Sequence, residues 1–210
     1  MNLALFGATG PSGKAVLSEA LRRGHQVAVL ARDPARLPQG RDGLRIVPGD
    51  ARDAAAVAET LRGADAVVQT LGVGGLGTGK PDDLVPVATR LILDAMRAQG
   101  IRRIVCASNI GVPGSGAYFT RFVLVPLVAR KLIPIIASKV EMETVLRQSD
   151  ADWTAVRLAA LTEKPAKGRL KVSETGKGPG MFLTTADAAG FMLDIIEKPA
   201  FLRQAVAIAN

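Results

Sequence analysis

Cysteine, histidine and aromatic residues are nearly missing from this chain. One cysteine, Cys106, and one histidine, His25, stand in 210 residues. A single thiol excludes an internal disulfide framework and any cysteine-built metal cluster. A zinc site would have to rest on carboxylates alone, so no metal is expected. Aromatics make up 4% of the residues, with one tyrosine, Tyr118. No apolar run is uninterrupted enough to span a membrane. Residues 122–137 come nearest, broken by Pro126, Arg130, Lys131 and Pro134. The chain opens on an apolar strand pattern instead of a secretory leader. A cytoplasmic location is the expectation.

Acidic residues are in deficit, and the formal net charge is +8. The bias is sharpest between Asp94 and Glu141, where seven basic residues occur and no acidic one. Nucleic-acid binding would call for basic residues clustered on one element and interleaved with aromatics. Here they are scattered and aromatics are few, so no nucleic-acid partner is expected. A polyanionic cofactor, an acidic substrate or a solvated basic surface each accounts for the excess.

What the sequence does contain is concentrated at its start. Residues 2–32 read as an apolar strand, a glycine turn, an amphipathic helix and a second apolar strand. Gly7, Gly10 and Gly13 follow the first strand directly. Glycines at such a turn let backbone N–H groups approach a pyrophosphate resting on the next helix. The spacing is G-x-x-G-x-x-G, with Ala8 where the commoner fingerprint has glycine. Pro11 suits the first helical position, and Gly24 ends the helix. The second strand ends in Arg32, where an NAD-selective fold carries an acidic residue for the ribose 2′-hydroxyl. An arginine offers its fork to a 2′-phosphate instead. NADP(H) is therefore the preferred cofactor, with NAD(H) possible and a plain surface arginine the alternative. Asp33 reads as the cap of a short helix over Pro34–Leu37.

The rest continues the alternation. Strands are expected over Leu44–Val47, Ala66–Thr70, Arg103–Ala107 and Trp153–Leu158, with a final edge strand at Ala205–Ile208. Helices are expected from Asp53 to Leu61, Pro81 to Gln99, Ser138 to Gln148 and Thr184 to Glu197. Short links and apolar strands in βαβ succession specify an α/β, doubly wound parallel sheet. One domain spanning residues 1–210 is the economical reading. The glycine-rich stretch from Leu71 to Gly77 lies at a carboxyl strand end, where backbone passes close to a ligand. Residues Lys164–Gly180 read as a small hairpin over the same edge, and His25 as a turn residue.

The chain resembles the atypical short-chain dehydrogenase/reductases, in the NAD(P)H-binding branch typified by biliverdin reductase B. The likeness runs through Gly7-Ala8-Thr9-Gly10-Pro11-Ser12-Gly13, Val29-Leu30-Ala31-Arg32-Asp33 and Gly49-Asp50. It resumes at Asp65-Ala66-Val67-Val68, Cys106-Ala107-Ser108, Val145-Leu146-Arg147-Gln148-Ser149 and Asp152-Trp153-Thr154-Ala155-Val156-Arg157. The resemblance implies an NAD(P)-binding Rossmann fold with short substrate-side elements near the C-terminus. It implies that Gly7, Thr9, Gly10, Pro11, Ser12 and Gly13 hold the pyrophosphate and Arg32 the 2′-phosphate. Asp50 and Ala51 would border the adenine, and Thr70, Leu71 and Gly72 the ribose and pyrophosphate path. Ser108 would lie near the nicotinamide, with Leu158 to Leu161 closing over it.

One family feature is missing. Short-chain dehydrogenases commonly pair a tyrosine with a lysine four residues later for proton transfer. Four residues after Tyr118 stands Phe122. Lys139 falls instead where the family places a cofactor-contacting lysine or histidine, so Lys139 and Ser108 are the candidate catalytic residues. A solvent-exposed lysine is the alternative. Reduction of a conjugated ring asks little of the protein beyond placement of the reacting atoms. An NADPH-dependent reductase of flavin, biliverdin-like or other planar small-molecule acceptors is therefore expected, acting as monomer or homodimer. A non-catalytic NADP(H)-binding sensor is the alternative. Epimerase chemistry is disfavoured by the missing dyad. Residues 119–137 would wall the acceptor site, form a dimer surface or pack as a buried helix.

Overall fold

In strand β1 (Asn2–Phe6) every residue after the first is buried, and alternate side chains enter different cores. Leu3 and Leu5 join one apolar cluster, Ala4 and Phe6 the other. This two-sided burial is what a central strand of a parallel sheet requires. The computed structural model describes residues 1–72, 82–112, 125–175 and 179–210, without the side chains of 125–132.

The order continues with α1 (Pro11–Arg22), β2 (Gln26–Ala31), β3 (Leu44–Pro48), α2 (Ala54–Leu61), β4 (Ala66–Gln69) and α3 (Leu84–Gln99). Next come β5 (Arg103–Asn109), α4 (Val125–Gln148), β6 (Asp152–Leu158), β7 (Ala160–Thr162), β8 (Lys171–Ser173), β9 (Phe182–Thr184), α5 (Thr185–Glu197) and β10 (Gln204–Ala209). The main sheet runs β3-β2-β1-β4-β5-β6-β10-β8, parallel except for β8. Helices α1 and α5 pack together over one face, and α2, α3 and α4 cover the other. The strand order reverses between β1 and β4, which puts a crevice at their carboxyl ends. The doubly wound sheet expected from the sequence is the one observed.

Local chemistry explains most boundaries. Asp53 caps α2 by accepting from the Ala55 N–H, and Asp33 accepts from Ala35 at the 3-10 turn Pro34–Arg36. Gly100 takes a left-handed conformation (φ 72°) at the end of α3. Thr184 opens α5 by accepting from the Asp187 N–H. The Asp187 carboxylate also gathers the Lys167 and Gly168 amides and the Asn210 side chain, tying the 167–168 segment to α5. Burial opposes ionisation of Asp187, but the Thr184 hydroxyl and the Lys167 and Gly168 amides hold it below its ordinary range.

Several expectations need correction. Helix α4 begins at Val125, not Ser138, and carries Pro134 in its interior. A proline forfeits one helical hydrogen bond, and residues 133–137 around it are half-buried or exposed. Helix α3 starts at Leu84, whose N–H is taken by the Asp82 carboxylate, and Pro81 lies outside the described residues. Strand β10 is not an edge, because β8 pairs antiparallel beyond it. The 164–180 excursion is therefore a sheet extension and not a separate hairpin. Its far end returns as β9, which pairs in parallel with β7. His25 is more than a turn residue. It is buried, with Nε2 2.8 Å from a Glu197 carboxylate oxygen and Nδ1 3.3 Å from the terminal amine.

Candidate functional site

The three glycines of the β1–α1 turn are required for different reasons. Gly7 has φ +92°, and a Cβ there would stand 2.7 Å from the Thr70 carbonyl carbon. The ends of β1 and β4 thus touch through backbone; the Thr70 N–H and hydroxyl both donate to the Phe6 carbonyl. At Gly13 a Cβ would lie 2.0 Å from the Gly7 carbonyl oxygen, so α1 presses directly on the turn. Gly10 is unlike both. A Cβ there would meet nothing nearer than the Gly7 oxygen at 3.6 Å. Internal packing does not call for glycine at position 10, whereas a ligand lying against the backbone would.

Gly10 is the N-cap of α1, and its side has no capping oxygen. The first intrahelical bond runs from Lys14 to the Gly10 carbonyl, so the Ser12 and Gly13 amides precede the ladder. The first turn holds no acidic residue. Unsatisfied amides and the positive end of the helix dipole suit an anion here. Thr9, Pro11 and Ser12 surround the same turn, half-buried or exposed. These residues fit a dinucleotide pyrophosphate.

Arg32 follows β2 directly, and β2 lies beside β1 in the sheet. It is exposed and makes no ion pair among the described residues. Arg52, on the next turn along this edge, contrasts with it. Its guanidinium binds Asp82 at 2.9 Å and Asp83 at 2.7 Å, joining the β3–α2 turn to the start of α3. The Arg32 guanidinium is not engaged in this way among the described residues. Arg36, exposed on the adjacent 3-10 turn, is a second cation without an ion pair among the described residues, and it was not among the expected site residues. Asp50 turns its carboxylate back to the Arg52 N–H, and Ala51 beside it is buried.

On the other side of the crevice, Lys139 reaches from α4 across two strand ends. Its ammonium donates to the Leu71 carbonyl and to the Ala107 carbonyl, each at 2.7 Å. It is 5% exposed, not the solvent-facing lysine that was the alternative, and it lies in mid-helix instead of opening one. Two of its three protons are spoken for. Burial lowers its pKa to about 8, while the Cys106 thiol and the Glu143 carboxylate act the other way. Folding therefore binds fewer protons at this residue than the unfolded chain between pH 8 and 10.5. Its contribution to stability should rise over that interval. Melting curves of wild type and Lys139→Met across it should diverge in that direction.

Ser108 is fully enclosed, and its hydroxyl donates to Glu143 at 2.7 Å. Glu143 also receives Arg157 Nε and Nη2 at 3.0 and 2.8 Å, and Arg147 at 2.7 Å. Burial alone would raise this carboxyl, but Arg157, Ser108 and Arg147 hold it below its ordinary range. Neither Glu143 nor its partners Arg157 and Arg147 figured among the candidate site residues. Cys106 is buried below Ser108, and burial pushes its thiol up to about 12, which makes it inert. Leu158 ends β6, buried, and β7 and β9 stand beyond it with Leu161, Met181 and Phe182 exposed. Tyr118, Phe119 and Phe122, like Gly74 to Gly77, lie outside the described residues.

A groove of about 440 Å³ lies at the opposite, amino end of the sheet, near Asn2, Gln26 and Leu44. Its cations, Arg45 and Arg62, already share Glu59. It offers no free charge and is remote from the crevice.

Comparison with known proteins agrees with this geometry. A family model described as NAD(P)H-binding matches residues 7–199. The 3-diazoavenalumate denitrifying reductase of a Streptomyces species is 27% identical, over 95% of this chain and 73% of its own. A short-chain dehydrogenase/reductase of Veillonella parvula, solved in complex with NADP, superposes with a TM-score of 0.80 at 17% identity, covering 100% of this chain and 94% of that one. ChuY of Escherichia coli O157:H7, described as an anaerobilin reductase, gives 0.82 at 22% identity, covering 100% and 97%. At these identities the two structures speak for the fold.

Proposed function

We propose that this chain, which belongs to the NAD(P)H-binding family, is an NADPH-dependent reductase of planar conjugated acceptors such as flavins or linear tetrapyrroles. The observation that carries the reading is Gly10, a glycine where a side chain would meet no clash, at the uncapped start of α1. At the end of the neighbouring strand β2 stands Arg32, with no ion pair among the described residues, suited to the 2′-phosphate. Reductases among its relatives support the oxidoreductase class, and an NADP complex in the same fold supports the cofactor.

When bound, a reduced nicotinamide supplies the hydride. The chain's own residues hold and enclose. Gly7 to Gly13 seat the pyrophosphate, Arg32 the 2′-phosphate, and Asp50 and Ala51 border the adenine. Thr70, Leu71 and Gly72 line the path to the nicotinamide. Lys139 offers its remaining proton to that end of the site, and Leu158 lies below it. Ser108, fully enclosed and already donating to Glu143, has no face open to a ligand, which leaves it a positioning role. The exposed Leu161, Met181 and Phe182 provide an apolar surface beyond β6. With no tyrosine dyad in the sequence, an acceptor that takes its proton from solvent suits the site better than a secondary alcohol.

Steady-state NADPH oxidation over a panel of flavins, quinones and biliverdin tests this reading. Turnover above the protein-free rate supports it. Tight NADPH binding with no oxidation across the panel replaces it with the sensor reading. NADPH affinity should also fall as pH rises through about 8, where Lys139 loses its charge. Lys139→Met should remove that dependence.

A further inference from the structure

Strands β5 and β6 lie side by side with Ser108 opposite Arg157. Paired residues of neighbouring strands project to the same face. Helix α4 covers that face, and Glu143 fits against both side chains, fully buried. One turn earlier on the helix, Lys139 takes the carbonyl of Ala107, the residue just before Ser108. Positions four apart share one helix face. Lys139 and Glu143 therefore grip two consecutive residues of β5, and Arg157 of β6 locks the grip from the far side.

We propose that Glu143 is a positioning residue that acts through Lys139. By closing on Ser108 and Arg157 it fixes the rotation of α4, and so holds the Lys139 ammonium across the ends of β4 and β5. Its carboxylate also keeps that ammonium protonated in a buried place. Among the described residues the titratable groups facing Lys139 are Cys106 on β5 and Glu143 on its own helix, while the segment after β4 contributes the Leu71 carbonyl. The thiol is un-ionised below about pH 12, so Glu143 is the charge that matters. The effect on cofactor binding rests on the reading of Lys139 given above; the effect on Lys139 itself does not.

The test is the pH titration of the Lys139 side chain in the cofactor-free protein. It is followed by carbon NMR at Cε and assigned by the signal missing from Lys139→Met. In wild type the midpoint should lie well below that of the exposed lysines. Glu143→Gln should lower it further, by about one pH unit, and move the alkaline loss of NADPH affinity by the same amount. Glu143→Asp, which keeps the charge but withdraws it, should lie between the two and carries the test if the glutamine variant does not fold. A folded variant with a lower melting temperature and an unchanged Lys139 midpoint would overturn the proposal, leaving Glu143 as packing alone. If Lys139→Met binds NADPH as wild type does, the cofactor role of Lys139 fails while the Glu143–Lys139 coupling stands or falls on the cofactor-free titration.

Discussion

Replacing Gly10 with valine should leave the protein folded and remove its affinity for NADPH. The backbone there is extended (φ −83°, ψ 167°), which a β-branched residue adopts without strain. A Cβ at this point meets only the Gly7 carbonyl oxygen, at an unstrained 3.6 Å. The cost to folding is that of a poor N-cap, about 1 kcal/mol or less. The cost to binding is much larger, because the side chain occupies the volume of the pyrophosphate and masks the amides below it. Losing charge-assisted hydrogen bonds of this kind costs about 1.5–3 kcal/mol each, so a loss of roughly 100-fold or more is expected. Gly13→Ala should behave oppositely. Its methyl would collide with the Gly7 carbonyl oxygen, and overpacking of this sort costs about 1–3 kcal/mol of stability. Melting curves and NADPH titrations on both variants check the contrast. A Gly10→Val protein that binds NADPH normally would place the cofactor elsewhere.

The second large effect concerns which dinucleotide is chosen. Arg32→Gln should weaken NADPH by roughly 10- to 100-fold, the equivalent of about 1.5–3 kcal/mol for a bidentate contact to phosphate. NADH carries no 2′-phosphate and should bind the variant as it binds wild type. The wild-type preference should shrink with added salt, since the contact is exposed. Arg52 supplies the control on the same edge. It is engaged by Asp82 and Asp83, which hold its pKa above the usual arginine value through the Asp83 hydrogen bond first. Arg52→Gln should therefore loosen the β3–α2 turn without changing the NADPH-to-NADH ratio. Equal losses for both cofactors in Arg32→Gln would show that Arg32 acts on the fold and not on the phosphate.

The parts legible in the sequence are those governed by neighbours along the chain. The β1–α1 turn is one: its strand, glycines and proline all fall within a dozen residues. The caps at Asp33, Asp53 and Thr184 are others, each set by a side chain two or three residues from its partner. The start of α4 was not legible. Pro134 reads locally as a break, and what carries the helix through it is burial of its later turns against β5 and β6. Lys139 was found by its place in a family pattern, but its burial was not foreseen. Its two acceptors, Leu71 and Ala107, are 68 and 32 residues away. Glu143 was missed for the same reason, because its value depends on the β5–β6 register. Strand β8 escaped notice because three exposed or half-buried residues make a strand only where β10 offers them an edge.

The central claim is hydride transfer from NADPH bound at the Gly10 turn. Its most direct test is a single turnover without oxygen, mixing the protein, one equivalent of NADPH and an oxidised flavin. The NADPH should be used once with hydrogen and once with deuterium at the nicotinamide C4. The flavin should bleach as NADPH is consumed, more slowly with the deuterated cofactor, and not at all with Gly10→Val. NADPH that binds wild type tightly and remains unoxidised beside every acceptor offered would contradict the account.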